Sequence, residues 1–183
     1  MALLHVEFEA LHPFLDGNGR LGRMLIPLFM WNKKIIYRPT FYISSVFEKN
    51  REVYYKKMRD VSASNSWTEW CVFFLECIIN QAQENLNKAK GILSLYDEMK
   101  KEIPSLISSQ YVIQMIDWIF TSPIFSSTTF IKKSKIPAPT AKRFLPLLTS
   151  KNILKIIKPG RGRIPTVYCF AELINLVEGY KFV

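Results

Sequence analysis

Residues 12–23 read His12-Pro13-Phe14-Leu15-Asp16-Gly17-Asn18-Gly19-Arg20-Leu21-Gly22-Arg23. Within these twelve residues fall a base, a carboxylate, an amide, three glycines and two arginines, too many groups in need of polar partners for a core segment. Upstream, Leu4, Phe8 and Leu11 recur at helical spacing, so residues 2–11 read as a helix with one apolar face. Pro13 cannot continue that helix, which therefore ends at His12. Gly17 and Gly19 let the backbone approach a ligand closely. The run after Gly19 is apolar and of helical length, so a glycine-bearing loop feeds a helix N-terminus. Unpaired N–H groups point outward at such a terminus and make it an anion site. Arg20 and Arg23 are three apart and can share a face of that helix, both reaching one phosphate tail.

Asp16 needs a reason in this setting, because a carboxylate repels phosphate unless a cation lies between them. Magnesium held by one or two carboxylates plus phosphate oxygens supplies that reason. Asn18 offers its amide either to a phosphate oxygen or to the loop itself. His12 is the one loop residue able to act as a general base near neutral pH. Together these parts suggest transfer of a phosphorus group, with charge neutralised by Mg²⁺, arginines and backbone amides. Each also has a plainer reading: His12 as a helix cap, Asp16 as an Asx-turn residue, the glycines as turn formers and the arginines as solvated charges.

The segment from His12 to Arg23 resembles the Fic family motif, His-Pro-Phe-x-(Asp/Glu)-Gly-Asn-(Gly/Lys)-Arg-x-x-Arg, at every specified position. The lead-in His5 to Leu11 is similar to what precedes the motif in many members, and the likeness runs on, more loosely, to about residue 90. The resemblance implies transfer of AMP from ATP to a Ser, Thr or Tyr hydroxyl of a protein target, with release of pyrophosphate. In that reading His12 deprotonates the hydroxyl, Asp16 holds Mg²⁺, and Gly17, Asn18 and Gly19 form the anion hole. Arg20 and Arg23 bind the β- and γ-phosphates. Tyr54 and Tyr55 match a pair near the adenine in some members, with aromatic core as the competing reading. UMP or phosphocholine transfer is a further alternative, since such a loop serves any diphosphate. Members of the family carry a β-hairpin flap before the motif. This sequence starts eleven residues before His12, so the expected fold is a partial core without that flap, and the chain reads as a fragment, a truncated product or a misplaced start. The family's inhibitory pattern, (Ser/Thr)-x-x-x-Glu-(Gly/Asn), is not met at Ile174 to Gly179, where Ile174 replaces the hydroxyl residue.

The 183 residues are 49% hydrophobic, enough for one or two folded domains. No apolar run reaches the ~18 residues of a membrane span, and no signal peptide opens the sequence. Cys71, Cys77 and Cys169 fit no metal spacing. A cytoplasmic location and no membrane partner are expected. Residues 1–121 hold 14 basic and 13 acidic side chains, whereas residues 122–183 hold 11 and 2. That asymmetry points to two units with different partners.

The expected fold class is mostly α: a catalytic core over 1–103 and a winged helix-turn-helix with a small β-hairpin over 104–183. In the core, helices are expected at 20–33 (buried, with Pro27 inside), 46–61, 67–90 and 90–102, with Ile103-Pro104-Ser105 as the boundary. In the tail, helices are expected at 109–120, 127–133 and 140–151. Strands at 153–158 and 164–170 are joined by the hairpin signal Pro159-Gly160-Arg161-Gly162-Arg163. Helix 140–151 would enter a DNA major groove, with Arg161 and Arg163 on phosphates. The alternatives are therefore a DNA-binding regulator with a nucleotide-sensing remnant, or a tail that meets a protein partner or a second copy of the chain.

Overall fold

The computed structural model describes residues 1–179, 181 and 182. The chain divides into two compact units, Met1–Leu86 and Asn87–Val183. It is mostly helical, as expected, with one small antiparallel sheet.

In the first unit, α1 covers Ala2–Leu11 and α2 covers Asn18–Asn32. Then come α3 at Ser44–Lys49, α4 at Arg51–Ser64 and the start of α5, which runs over Trp67–Leu106. The core gathers Val6, Ile26, Phe47, Tyr54, Trp70 and Phe74, among others. Trp70 anchors α5 to the chain start by donating its indole N–H to the Ala2 carbonyl at 3.0 Å. The single helix expected at 46–61 is two helices. Asn50 leaves helical geometry (φ −112°, ψ 29°) and donates its side-chain N–H to the Val46 carbonyl, an alternative to the backbone ladder that ends α3. α2 is not buried all round. The stripe Asn18, Gly22, Ile26 and Met30, four apart, faces inward, while Leu21, Met24, Leu28 and Trp31 are exposed. The apolar run supplies more hydrophobic positions than one core-facing stripe uses.

The two helices expected at 67–90 and 90–102 are one 40-residue helix, with Pro104 inside its last turn. The break expected near Gly91 does not occur. A Cβ at Gly91 would lie 3.1 Å from the Leu176 side chain, so the glycine makes room for packing within the second unit.

The second unit continues with α6 (Val112–Thr121), β1 (Ile124–Ser126), α7 (Ser127–Lys133) and α8 (Ala138–Ser150). β2 (Lys155–Lys158), β3 (Val167–Cys169) and α9 (Ala171–Glu178) complete it. The sheet order is β1-β3-β2, antiparallel throughout, with Ile124 and Lys155 both opposite Cys169. Strand β1 has no periodic signal, because it is three residues long and runs straight into a cap. Ser126 accepts the Thr129 N–H and starts α7. Phe130, Phe144 and Phe170 are fully buried in this unit's core. The hairpin closes at the Arg161–Ile164 bridge, with Gly162 at φ 58°, which suits glycine.

His5 joins three elements of the first unit. Its Nδ1–H donates to the Gly22 carbonyl at 3.1 Å, so the neutral ring accepts the Tyr54 hydroxyl at Nε2 at 2.9 Å. The ring is also stacked against Trp70 and Phe47. Burial, with a smaller push from the Arg23 charge, lowers its pKa to about 4, although the Gly22 carbonyl works in the other direction. An unfolded histidine binds a proton more readily across this window. Stability supplied by His5 is therefore present at pH 7 and lost as pH falls from about 6.5 to 4, by roughly 3 kcal/mol. Urea unfolding at pH 7 and pH 4.5 should show a smaller pH loss in His5→Gln than in the natural chain. Equal losses would remove His5 from the account.

Candidate functional site

The loop between α1 and α2 is held from both ends. At its start, His12 ends α1 in a left-handed conformation (φ 44°, ψ 55°), and its N–H returns to the Phe8 carbonyl at 3.2 Å. At its end, Gly17 precedes α2 at φ 83°, where a side chain would be strained. Asn18 is buried and closes the loop. Its amide donates to the Phe14 carbonyl at 2.6 Å and accepts the Phe14 N–H at 3.0 Å. Of the two uses read for Asn18, the structure displays the one within the loop. Asp16 accepts the Gly17 N–H at 2.7 Å and sits 3.4 Å from the Arg20 guanidinium, fully in solvent. No side chain caps the start of α2, so its first turn presents backbone N–H groups outward.

A cavity of about 1100 Å³ opens beside this loop within the first unit. Arg20 and Arg23 line it from α2, and Tyr54 and Tyr55 from α4. Phe41, Tyr42, Ser44, Ser45 and Arg51 complete much of the wall. This is slightly above the usual ligand-pocket range of roughly 300–1,000 Å³, and its lining mixes arginines with aromatic rings. The structure thus brings together four of the nine sequence-read site residues in one wall. Asp16 is tied to that wall through Arg20, whereas His12 stands exposed at the end of α1, outside the lining.

The tyrosine pair divides its roles. Tyr54 is buried, bonded to His5 and packed on Phe47, so it is core as well as wall. Burial pushes its phenol pKa up, as does the Glu9 charge. Tyr55 is exposed, with the Arg51 guanidinium 5.9 Å from its ring centre.

Sequence reasoning missed Arg51 and Glu9. Arg51 carries no motif; it is the first residue of α4 and lines the cavity. Glu9 is four residues after His5, hence on the same helix face, and its carboxylate packs where a Cβ at Gly22 would be. One of its oxygens is buried without a hydrogen-bond partner. Burial raises its pKa, against the opposing charge of Arg23. Among the described residues no cluster of three or more metal-ligating side chains occurs, so Asp16 could hold a cation only together with ligands from a bound phosphate.

Residues 1–30 match the Fic/DOC family. Across 98% of its length the chain is 22% identical to a probable protein adenylyltransferase of Aquifex aeolicus, covering 51% of that protein. Over 66 residues, 33% of the chain, it is 39% identical to a Fido domain-containing protein of Dictyostelium discoideum, covering 44% of it. The chain spans about half the length of the curated relatives it matches. The residues that match the family carry the loop.

The loop's dependence on Asn18 is measurable. Asn18→Ala leaves the Phe14 N–H and carbonyl without their partner and should cost about 1–3 kcal/mol in urea unfolding. Asn18→Asp keeps the acceptor but sets a carboxylate against the Phe14 carbonyl, and should also destabilise. A loss below about 0.5 kcal/mol in both variants would show that the loop is held by something else.

Proposed function

We propose that the first unit belongs to an enzyme that transfers AMP from ATP to a Ser, Thr or Tyr hydroxyl of a protein target. The observation that carries this reading is that Arg20 and Arg23, which follow the uncapped start of α2, line one cavity together with Tyr54 and Tyr55. A polyphosphate suits the arginines and a nucleobase suits the tyrosine rings. Arg20 and Arg23 hold the β- and γ-phosphates; Asn18 and Gly19 present backbone amides to the phosphate chain, and Gly17, whose N–H goes to Asp16, shapes the turn of that anion hole. Asn18 acts here through the loop shape it fixes. Tyr55, with Arg51 above it, offers a flat face to the adenine, and Tyr54 supports that face from the core. Asp16 would hold Mg²⁺, which supplies charge neutralisation on the phosphates when bound.

His12 takes the proton from the target hydroxyl. The hydroxyl oxygen forms its bond to the α-phosphorus, and the bond from that phosphorus to the bridging oxygen breaks as pyrophosphate leaves. Exposure of His12 outside the cavity lining suits a base that must meet a hydroxyl arriving from a separate protein. The name of the Aquifex relative supports adenylyl transfer over the UMP and phosphocholine alternatives.

For the second unit we propose a winged helix-turn-helix. The order α6-β1-α7-α8-β2-β3 with a three-stranded antiparallel sheet supports it. The exposed Lys142 and Arg143 on α8 and the exposed Arg161 and Arg163 at the hairpin tip favour a second reading for this unit, contact with DNA phosphates. Among the described residues no helix is long and apolar enough to cross a membrane. Three unpaired cysteines, Cys71, Cys77 and Cys169, suit a cytoplasmic location.

The transfer reading is tested with the full-length protein, α-labelled ATP and cell lysate. Label should appear on protein, and His12→Ala should reduce it by about 10²-fold or more. Label arriving from γ-labelled ATP instead, or persisting in His12→Ala, would contradict it. The DNA reading predicts duplex binding that weakens with salt and with Arg161→Glu and Arg163→Glu. Absence of any salt-sensitive binding would end it.

A further inference from the structure

Gly22 lies inside α2 with ordinary helical backbone, so no left-handed turn calls for a glycine there, and a glycine weakens a helix relative to alanine. Space explains it. A Cβ on Gly22 would run into the Glu9 carboxylate, 3.1 Å from its Cδ, and would come 3.3 Å from the His5 ring. The carboxylate sits in that gap at a cost of its own, because its Oε1 is closed off from solvent without a hydrogen-bond partner. Two local costs therefore meet at one point: a glycine inside a helix and a buried, unpaired carboxylate oxygen. Such departures concentrate where a fold serves a site. Both residues belong to the first unit, one on α1 and the other on α2.

The group served is Arg23. Its Nη1 comes 3.2 Å from the point where Gly19 would carry a Cβ, and the two Glu9 oxygens come 3.8 and 3.9 Å from the same point. Carboxylate and guanidinium thus flank one spot on α2. Burial raises the Glu9 pKa, and the charges that oppose it are Arg23 first and His12 second. Arg23 lines the cavity and Glu9 does not. We propose that Glu9 is the positioning residue for Arg23: its carboxylate, seated in the gap left by Gly22, holds the guanidinium toward the cavity in advance of a ligand. This rests on the transfer reading, in which Arg23 meets the β- and γ-phosphates. An unrestrained arginine side chain has many rotamers, and a ligand that had to order it would bind less tightly. A carboxylate fixed on the neighbouring helix moves that ordering into folding. Because the carboxylate stays out of the cavity lining, it orders the arginine without meeting the phosphate itself.

Two variants test this from opposite sides. Glu9→Gln keeps the volume and removes the charge, whereas Gly22→Ala keeps the charge and fills its seat. The first readout is the order of the Arg23 side chain, from nitrogen relaxation of its Nε–H group in the chain without ligand. The order parameter should fall below about 0.6, the flexible range, in both variants and lie above it in the natural chain. The melting temperature of Glu9→Gln should equal or exceed that of the natural chain, since a buried unpaired oxygen loses its charge. Arg23 order unchanged in either variant overturns the proposal. So does a lower melting temperature in Glu9→Gln, which marks a purely structural carboxylate. The second readout is titration with ATP and with AMP, which lacks the β- and γ-phosphates. Glu9→Gln should weaken ATP binding about three- to tenfold and leave AMP unchanged. In an Arg23→Ala background the same substitution should do nothing further. Unchanged or tighter ATP binding, or equal weakening of ATP and AMP, overturns the proposal. If neither nucleotide binds the natural chain while Arg23 order still depends on Glu9, the transfer reading fails and the positioning of Arg23 stands.

Discussion

The two hydrogen bonds between the Asn18 side chain and the Phe14 backbone close the turn that separates α1 from α2. Without them the chain from Pro13 to Gly17 would be a free connection, and the cost of ordering it would fall on any ligand that needed it in place. With them, the left-handed His12 at one end and the left-handed Gly17 at the other are fixed relative to α2. Asp16, Arg20 and the amides of the first turn follow from that geometry. A preorganised anion site is worth more than the same groups on a flexible loop, because nothing has to be ordered when charge arrives.

Behind the loop, a second polar set does the corresponding work in the core. His5 ties α1 to the Gly22 carbonyl of α2 and to the Tyr54 hydroxyl of α4. Glu9 lies one turn further along α1, beside Gly22, with a buried oxygen that has no partner. Gly22 is therefore spent on packing rather than on loop flexibility: the carboxylate occupies the space its Cβ would need. Arg23 stands between these groups and the cavity, and its charge acts on His5, Glu9 and Tyr54 together. The arginine that would meet a phosphate is thus held by the same network that holds the helices.

How much of this could be read beforehand varied with the kind of signal. The loop was legible as a loop because glycine and proline at fixed spacing leave few backbone alternatives at positions 12–23. The end of α1 was legible for a similar reason, the proline that follows it. The α3–α4 break was not, since Asn50 stops a helix only when its side chain reaches back to Val46. The continuity of α5 through Gly91 was hidden as well, because it depends on Leu176, 85 positions away, filling the glycine's space. Strand β1 exists only through its pairing with β3. In each case the deciding contact is long-range or specific to one side chain, and local pattern does not record it.

In the function proposed, the cavity and loop take the triphosphate of a nucleotide, with Arg23 as a principal anchor. Calorimetric titration of the chain with ATP in the presence and absence of Mg²⁺ tests it most directly. The expected result is saturable binding at one site that is strengthened by Mg²⁺ and weakened about tenfold or more in Arg23→Ala, the loss expected when a charged hydrogen-bond donor to phosphate is removed. Binding that is absent, or that is the same in Arg23→Ala as in the natural chain, would contradict it.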